Sequence, residues 1–202
     1  YGQQPSELAG VPEHWDGSPD PQVARNAYGE AKRAAEMLCA VYRKQFGVDV
    51  VSARIFSLLG PFLPLGTHFA AGNFIQDAMA GREVIVHGSG SAVRSYLYPS
   101  DLVIWLLTLL TRQNKKPAYN VGSENAVSIA ELARIISKLV GDGRFTILGA
   151  TDLGWNSGRY VPDTKLIQNE FGLRELIPLE YSVLSTADAS VAEVLGGKLR
   201  GD

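Results

Sequence analysis

The chain has 202 residues, 46% of them hydrophobic and 20% charged, a composition that excludes a disordered segment and suffices for a sizeable core of one domain or slightly more. A formal net charge of −2 and an isoelectric point near 6.0, with no run rich in lysine and arginine, leave no electrostatic footprint for nucleic acid or an anionic membrane. The one cysteine, Cys39, cannot form an internal disulfide and fits a reducing, cytoplasmic setting.

In chain order, residues 2–22 are rich in Pro, Gly and polar side chains and read as a surface loop. Ala24 to Phe46 carries Tyr28, Ala31, Ala35, Leu38, Cys39, Tyr42 and Phe46 at three- and four-residue steps, which predicts an amphipathic helix, and Gly47 stands where it stops. Val48 to Gly60 is apolar and rich in β-branched residues near its start, as in a buried parallel strand. Residues 61–72 read as an irregular loop, Asn73 to Ala80 as a short helix closed by Gly81, and "EVIVH" as a short strand.

"HGSGSAVRSYLYPSD" reads as a loop that leads, with Pro99 and Ser100 as cap, into a buried helix from Asp101 to Thr111. Its apolar run, Leu102 to Leu110, is far shorter than the roughly 20 residues of a spanning helix. "AYNVG" is a further strand, and Ser128 with Glu131 forms a capping box for a helix that ends near Val140. From Tyr160 the pattern is strand, a cap at Asp163 or Thr164, a short helix and a Gly172 stop. A last helix runs from Glu180 to Leu195.

Tyr28 and Lys32 are the chemical candidates. Four residues at about 100° each return both side chains to one helix face, about 6 Å apart along the axis. A phenol with a pKa near 10 is a poor base at neutral pH, but an adjacent ammonium group favours the phenolate. Such a pair can accept a proton from a substrate hydroxyl. Chance supplies this spacing roughly 0.3 times in a chain of this composition, so the pair alone is weak evidence and by itself reads more readily as an ordinary exposed helix face. His14, His68 and His87 are scattered and show no metal-ligand spacing. There is no nucleophile elbow and no phosphate loop.

Context strengthens the pair. The opening "YG", "NAYGEAKRAAE" from Asn26, "ARIFSLLGP" from Ala53, "GNFIQDAMAGREVIVHGSGSAVRSYLYPSDL" from Gly72, "AYNVGSENAVSIAELA" from Ala118 and "RYVPDTKLIQNEFGL" from Arg159 follow one another as in a known family. The chain resembles the C-terminal part of the extended short-chain dehydrogenase/reductase family, the NAD-dependent nucleotide-sugar epimerases and dehydratases. The resemblance implies an α/β fold, the later part of a Rossmann-like doubly wound parallel sheet with a smaller α/β substrate region. In this division residues 1–61, joined by a strand and helix near 92–122, belong to the dinucleotide half, and residues 62–202 mainly to the substrate half.

It further implies that Tyr28 is the catalytic base and that Lys32 binds the cofactor ribose. The cofactor is NAD in preference to NADP. "RIFSLLGP" resembles the family's R-x-F-N-x-Y-G-P, which sets Phe56 beside the nicotinamide and Ser57, in place of asparagine, at the substrate. Asn73, His87 and Arg94 match positions near the nucleoside diphosphate. Arg159 matches more loosely, because the R-P-G-D segment nearby is replaced by "LGWNSG". The expected partners are a nucleotide-diphosphate sugar and, for the full-length protein, a second copy in a homodimer, with neither nucleic acid, membrane nor metal.

No G-x-G-x-x-G turn occurs in the chain, although the family seats the cofactor pyrophosphate on one. With Tyr1-Gly2 opening in mid-motif, this leads us to expect a C-terminal portion of a longer enzyme that proceeds through a 4-keto sugar. A nucleotide-sugar decarboxylase or ketoreductase of the same family is the alternative within enzymes. A non-catalytic nucleotide-sugar binding or assembly module is the alternative outside them.

Overall fold

The computed structural model describes residues 1–5, 7–67, 69–149 and 158–199, with side chains to Ser190. His68 and most of the "LGWNSG" segment lie outside the described residues.

The N-terminal segment runs as a loop to a single 3-10 turn, Ala24–Asn26, and then enters α1, Ala27–Phe46. Gly47 ends the helix in the left-handed region at φ +65°, where a residue lacking Cβ fits without cost. The apolar spacing of α1 does not translate into burial. None of its residues is buried, and Tyr28, Leu38, Tyr42 and Phe46 are exposed.

Strand β1 is shorter than its apolar run suggests, Ser52–Ile55, and is not buried. It pairs in parallel with β4, Ala118–Val121, in the register Ser52↔Ala118 to Ile55↔Val121. Among the described residues these two strands form a two-stranded sheet, so β1 is covered less than a central strand would be.

Helix α2, Ala70–Met79, starts three residues before Asn73 and takes up the end of the expected loop. Strand β2, Val84–Val86, pairs in parallel with β6, Phe145–Ile147, for which no periodic pattern predicts a strand. The expected loop between residues 87 and 101 contains β3, Val93–Arg94, which lies between antiparallel β5, Val127–Ser128, and parallel β7, Arg159–Tyr160.

Helix α3, Pro99–Thr111, has Tyr98 as N-cap and Pro99 in its first turn, where the missing N–H costs nothing. It is not fully buried. Trp105 and Leu109, four residues apart, point inward, while Val103, Ile104, Leu107 and Leu110 are exposed. No described helix is long and apolar enough to cross a membrane.

Helix α4, Ile129–Val140, shows the serine half of the expected box, with Ser128 Oγ accepting from Glu131 N at 3.1 Å, while the Glu131 carboxylate accepts from Arg134 Nη2 at 3.2 Å. At α5, Lys165–Phe171, Thr164 is the N-cap residue, but the side-chain bond comes from Asp163, whose Oδ1 accepts from Lys165 N at 2.9 Å. Helix α6, Leu179–Leu199, closes the order.

Two apolar clusters hold these elements. One gathers Trp105 and Leu109 of α3, Tyr119 and Val121 of β4, Leu97, and Ile167 of α5. The other gathers α2, α4 and α6 around Phe74, Ile75, Leu132, Ile136 and Val183, with Val84 of β2. The N-terminal loop is stitched to both β4 and the segment after β7. Val11 N donates to Val161 O and Asp163 N to Val11 O, each at 2.9 Å, while Asn120 Nδ2 donates to Val11 O at 2.7 Å.

Candidate active site

Helix α1 places Tyr28, Lys32 and Glu36 at successive four-residue steps, so all three share one face. Lys32 Nζ lies 5.4 Å from the centroid of the Tyr28 ring. This face forms one wall of a cleft of about 1040 Å³ whose opposite wall is β1, with Arg54, Phe56, Asn120 and Tyr160 also lining it. Tyr28 is 75% exposed, so its phenol stands in open cleft space that a ligand can enter.

Phe56 follows β1 directly. Its N donates to Val121 O at 2.9 Å, which carries the parallel register one residue past the strand. Its ring stacks on Tyr160 of β7, with centroids 4.6 Å apart and planes 24° apart. Burial pushes the Tyr160 phenol up from its ordinary value, the neighbouring Tyr28 adds to this, and Arg94 opposes it. Tyr160 is therefore a neutral hydroxyl at physiological pH, able both to donate and to accept. It is a site residue that sequence reasoning missed. With only two residues in β7, alternation offers no signal for it, and the pairing with β3 is what defines its face.

The other predicted residues do not line this cleft. Ser57 O accepts from Leu97 N at 3.0 Å, tying the end of β1 to the segment after β3. Arg94 is the register partner of Tyr160, and its Nη1 donates to Val93 O at 2.8 Å and Gly158 O at 2.7 Å, which orients the guanidinium. Asn73 lies on α2 with a buried Oδ1 that has no hydrogen-bond partner among the described residues. His87 is exposed just after β2. Arg159 Nε donates to Ala9 O at 2.6 Å and so holds the N-terminal segment.

A polar cluster adjoins the Tyr28 face. Arg54 Nε and Nη2 donate to Glu36 Oε2 and Oε1 at 2.9 and 2.6 Å, and the Tyr1 hydroxyl also donates to Glu36. The Arg54 guanidinium lies 4.1 Å from the Tyr1 ring centroid. Burial alone would raise the Glu36 carboxyl, but the bonds from Arg54 and Tyr1 outweigh it and hold the group below its ordinary value. Burial and Glu36 together push the Tyr1 phenol up to about 12.

The open cleft thus carries a tyrosine and a lysine on one helix face and a stacked aromatic pair, within a parallel α/β frame. The chain belongs to the NAD dependent epimerase/dehydratase family, whose sequence profile matches residues 1–122. It is 35% identical over 188 residues to UDP-glucuronic acid decarboxylase 1 of Xenopus tropicalis, covering 90% of this chain and 44% of that protein. With UDP-glucuronic acid decarboxylase 5 of Arabidopsis thaliana it shares 33% over 129 residues, 64% of this chain and 38% of the relative. The chain thus spans less than half the length of these relatives.

Among solved structures, dTDP-glucose 4,6-dehydratase from Bacillus anthracis in complex with NAD superposes with a TM-score of 0.80 at 19% identity, over 97% of this chain and 60% of that one. The UDP-glucose 4-epimerase of Thermus thermophilus complexed with NAD gives 0.75 at 22%, over 94% and 60%. At these identities the likeness establishes the fold, an α/β Rossmann-like frame with parallel strand pairs.

Proposed function

We propose that the full-length protein is an NAD-dependent enzyme that oxidises the sugar of a nucleoside diphosphate sugar at carbon 4, with Tyr28 as the base that takes the hydroxyl proton. The observation that carries this reading is the cleft itself, where Tyr28 and Lys32 of α1 face Phe56 and Tyr160 across an open space. The residues fit the nicotinamide ribose end of the cofactor: an ammonium and a phenol one helical turn apart can bond ribose hydroxyls, and the apolar Phe56 side chain suits an aromatic ring. Bound NAD supplies the hydride acceptor that makes loss of the hydroxyl proton an oxidation.

On the protein side, Tyr28 accepts the proton at its phenolic oxygen, and Lys32, one helical turn away on the same face, brings an ammonium charge beside its ring. Tyr160, protonated at neutral pH, is placed to donate to or accept from a sugar hydroxyl next to Tyr28. Arg94, oriented by two carbonyls, is the candidate for the diphosphate, with Ser57, Asn73 and His87 completing the substrate side. The unpartnered buried Oδ1 of Asn73 supports a ligand-facing role there. Arg159 contributes by anchoring the N-terminal segment.

The two apolar clusters support assigning β1, β4 and α3 to the dinucleotide half, and α2, α4, β2 and α6 to the substrate half. A homodimer of the full-length protein in the cytoplasm completes the reading. The names of the relatives favour decarboxylation as the outcome. A ketone at carbon 4 of a uronate lies β to the carboxylate, so carbon dioxide leaves while its bonding electrons enter the enolate; protonation gives a 4-keto-pentose, and return of the hydride to carbon 4 would complete the pentose.

The test is product analysis of the full-length protein with NAD and either UDP-glucuronate or UDP-glucose. Carbon dioxide and a UDP-pentose from the uronate support decarboxylation. An epimer or a 4-keto-6-deoxy product directs the same oxidation elsewhere, and no turnover of either nucleotide sugar refutes the reading.

A further inference from the structure

We propose that the ion pair between Glu36 and Arg54 is a positioning clamp that sets Tyr28 and Lys32 against the end of β1. The inference rests on the reading of Tyr28 and Lys32 as the reacting pair, and it assigns a role to two residues that touch neither substrate nor cofactor in that reading.

Among the described residues α1 has partly buried side chains but no buried one. Polar ties connect it to its neighbours there. Arg33 donates to Asp16 O and so reaches the N-terminal loop, and Arg43 Nη2 donates to Val50 O at 2.7 Å and so holds the C-terminal end of the helix. Glu36 supplies the tie to β1 itself, through both carboxylate oxygens.

Register makes this tie relevant to the site. Glu36 lies on the face of Lys32 and Tyr28, one and two helical turns further on. Arg54 lies on the face of Phe56, two residues along an extended chain. One pair thus joins the face that carries the base to the face that carries the aromatic end of the cleft.

Arg54 is itself fixed. Its Nη1 donates to Glu13 O at 2.7 Å, and Glu13 Oε1 accepts at 2.9 Å from the backbone N of Asn120, the register partner of Arg54 on β4. The Tyr1 ring lies against the guanidinium and its hydroxyl reaches Glu36. The two side chains are only 14% and 24% exposed, unlike the solvated surface pairs that contribute little. Their two parallel bonds also fix orientation as well as distance. Displacing the base by about 1 Å costs turnover far more than it costs binding.

The experiment compares the full-length protein with Glu36→Gln, Arg54→Lys, the charge exchange Glu36→Arg with Arg54→Glu, and Tyr28→Phe as reference. The clamp predicts that Glu36→Gln lowers kcat roughly 10- to 100-fold with KM for the nucleotide sugar within about twofold, and that Arg54→Lys does the same. The charge exchange recovers at least a third of the lost factor on a logarithmic scale.

Hydrogen exchange on the 202-residue chain gives a second readout that needs no activity. Protection should fall in residues 27–46 of Glu36→Gln and stay unchanged in β4 and α4. A kcat within twofold of wild type, a loss carried by KM, or protection lost equally in α1, β4 and α4 overturns the clamp. Tyr28→Phe turning over like wild type refutes the reading of the reacting pair instead, and the exchange data then decide the clamp by themselves.

Discussion

Replacing Gly122 with alanine tests how closely the two sides of the cleft are built together. Gly122 follows β4, and a Cβ there would stand 2.9 Å from Phe56 Cβ and 2.9 Å from Pro162 Cγ. Ordinary carbon contacts lie at about 3.5 to 4.0 Å. Neither neighbour can swing away: Phe56 Cβ is bonded to a backbone whose N–H is committed to Val121 O, and Pro162 is a ring two residues after the Tyr160 that stacks on Phe56. Accommodating the methyl group must separate β4 from the Phe56 and Pro162 backbones by about half an ångström, which places the cost in the overpacking range of about 1 to 3 kcal/mol. For a chain of this length that is a fall in Tm of roughly 3 to 10 °C. Thermal unfolding followed by circular dichroism, with wild type alongside, measures it. An unchanged Tm would mean that Phe56, Pro162 and the end of β4 are not in the mutual contact described.

Other outcomes follow from single contacts. Asp101 is 1% exposed and its Oδ2 accepts from the backbone N of Leu176 and Ile177 at 2.9 and 3.1 Å. Asp101→Ala leaves both donors without their acceptor and should cost about 2 to 4 kcal/mol in urea unfolding, with a value near zero contradicting the geometry. The Glu175 carboxyl, raised first by burial and also by Asp101, should then titrate closer to its ordinary range by NMR. Because Glu36 has a depressed pKa in the fold, its contribution is present above the ordinary carboxylate value of 4.5 and is lost as pH falls below it. The difference in urea midpoint between wild type and Glu36→Gln should therefore shrink from about pH 6 to about pH 3, and a constant difference would show that the charge is irrelevant. Tyr160→Phe keeps the ring on Phe56 and should leave Tm within about 1 °C while lowering kcat/KM of the full-length protein roughly tenfold, the scale of one hydrogen bond. Unchanged kinetics would remove the Tyr160 hydroxyl from the site.

The helices were legible because each combines several residues of signal: the Ser128 cap with the periodicity of α4, Gly47 and Gly172 as left-handed stops, and Pro99 in the first turn of α3. Strands β3, β5 and β7 are two residues long, too short for alternation to register, and are defined only by partners far away in sequence. Burial was the least legible property. Apolar spacing in α1 and the apolar run of α3 predict covered faces, yet coverage is set by whichever element lies opposite, which sequence period does not report.

At the site, Tyr28 and Lys32 could be read because a single helix turn relates them. Phe56 reached the cleft through the family pattern. Tyr160, Glu36 and Arg54 carry weaker signals. Glu36 extends the Tyr28 and Lys32 step by one more turn, and Arg54 precedes Phe56 by one strand period, but only the fold brings the two together.

Whether Tyr28 is the base of a nicotinamide-dependent oxidation is decided by a single-turnover experiment. NAD-loaded full-length protein, wild type or Tyr28→Phe, is mixed with the nucleotide sugar it turns over, and reduced-nicotinamide absorbance is followed. Wild type should show a reduction phase that slows by roughly 10² to 10⁴ in Tyr28→Phe, with nucleotide-sugar affinity nearly unchanged. Reduction at the wild-type rate in Tyr28→Phe would contradict the assignment.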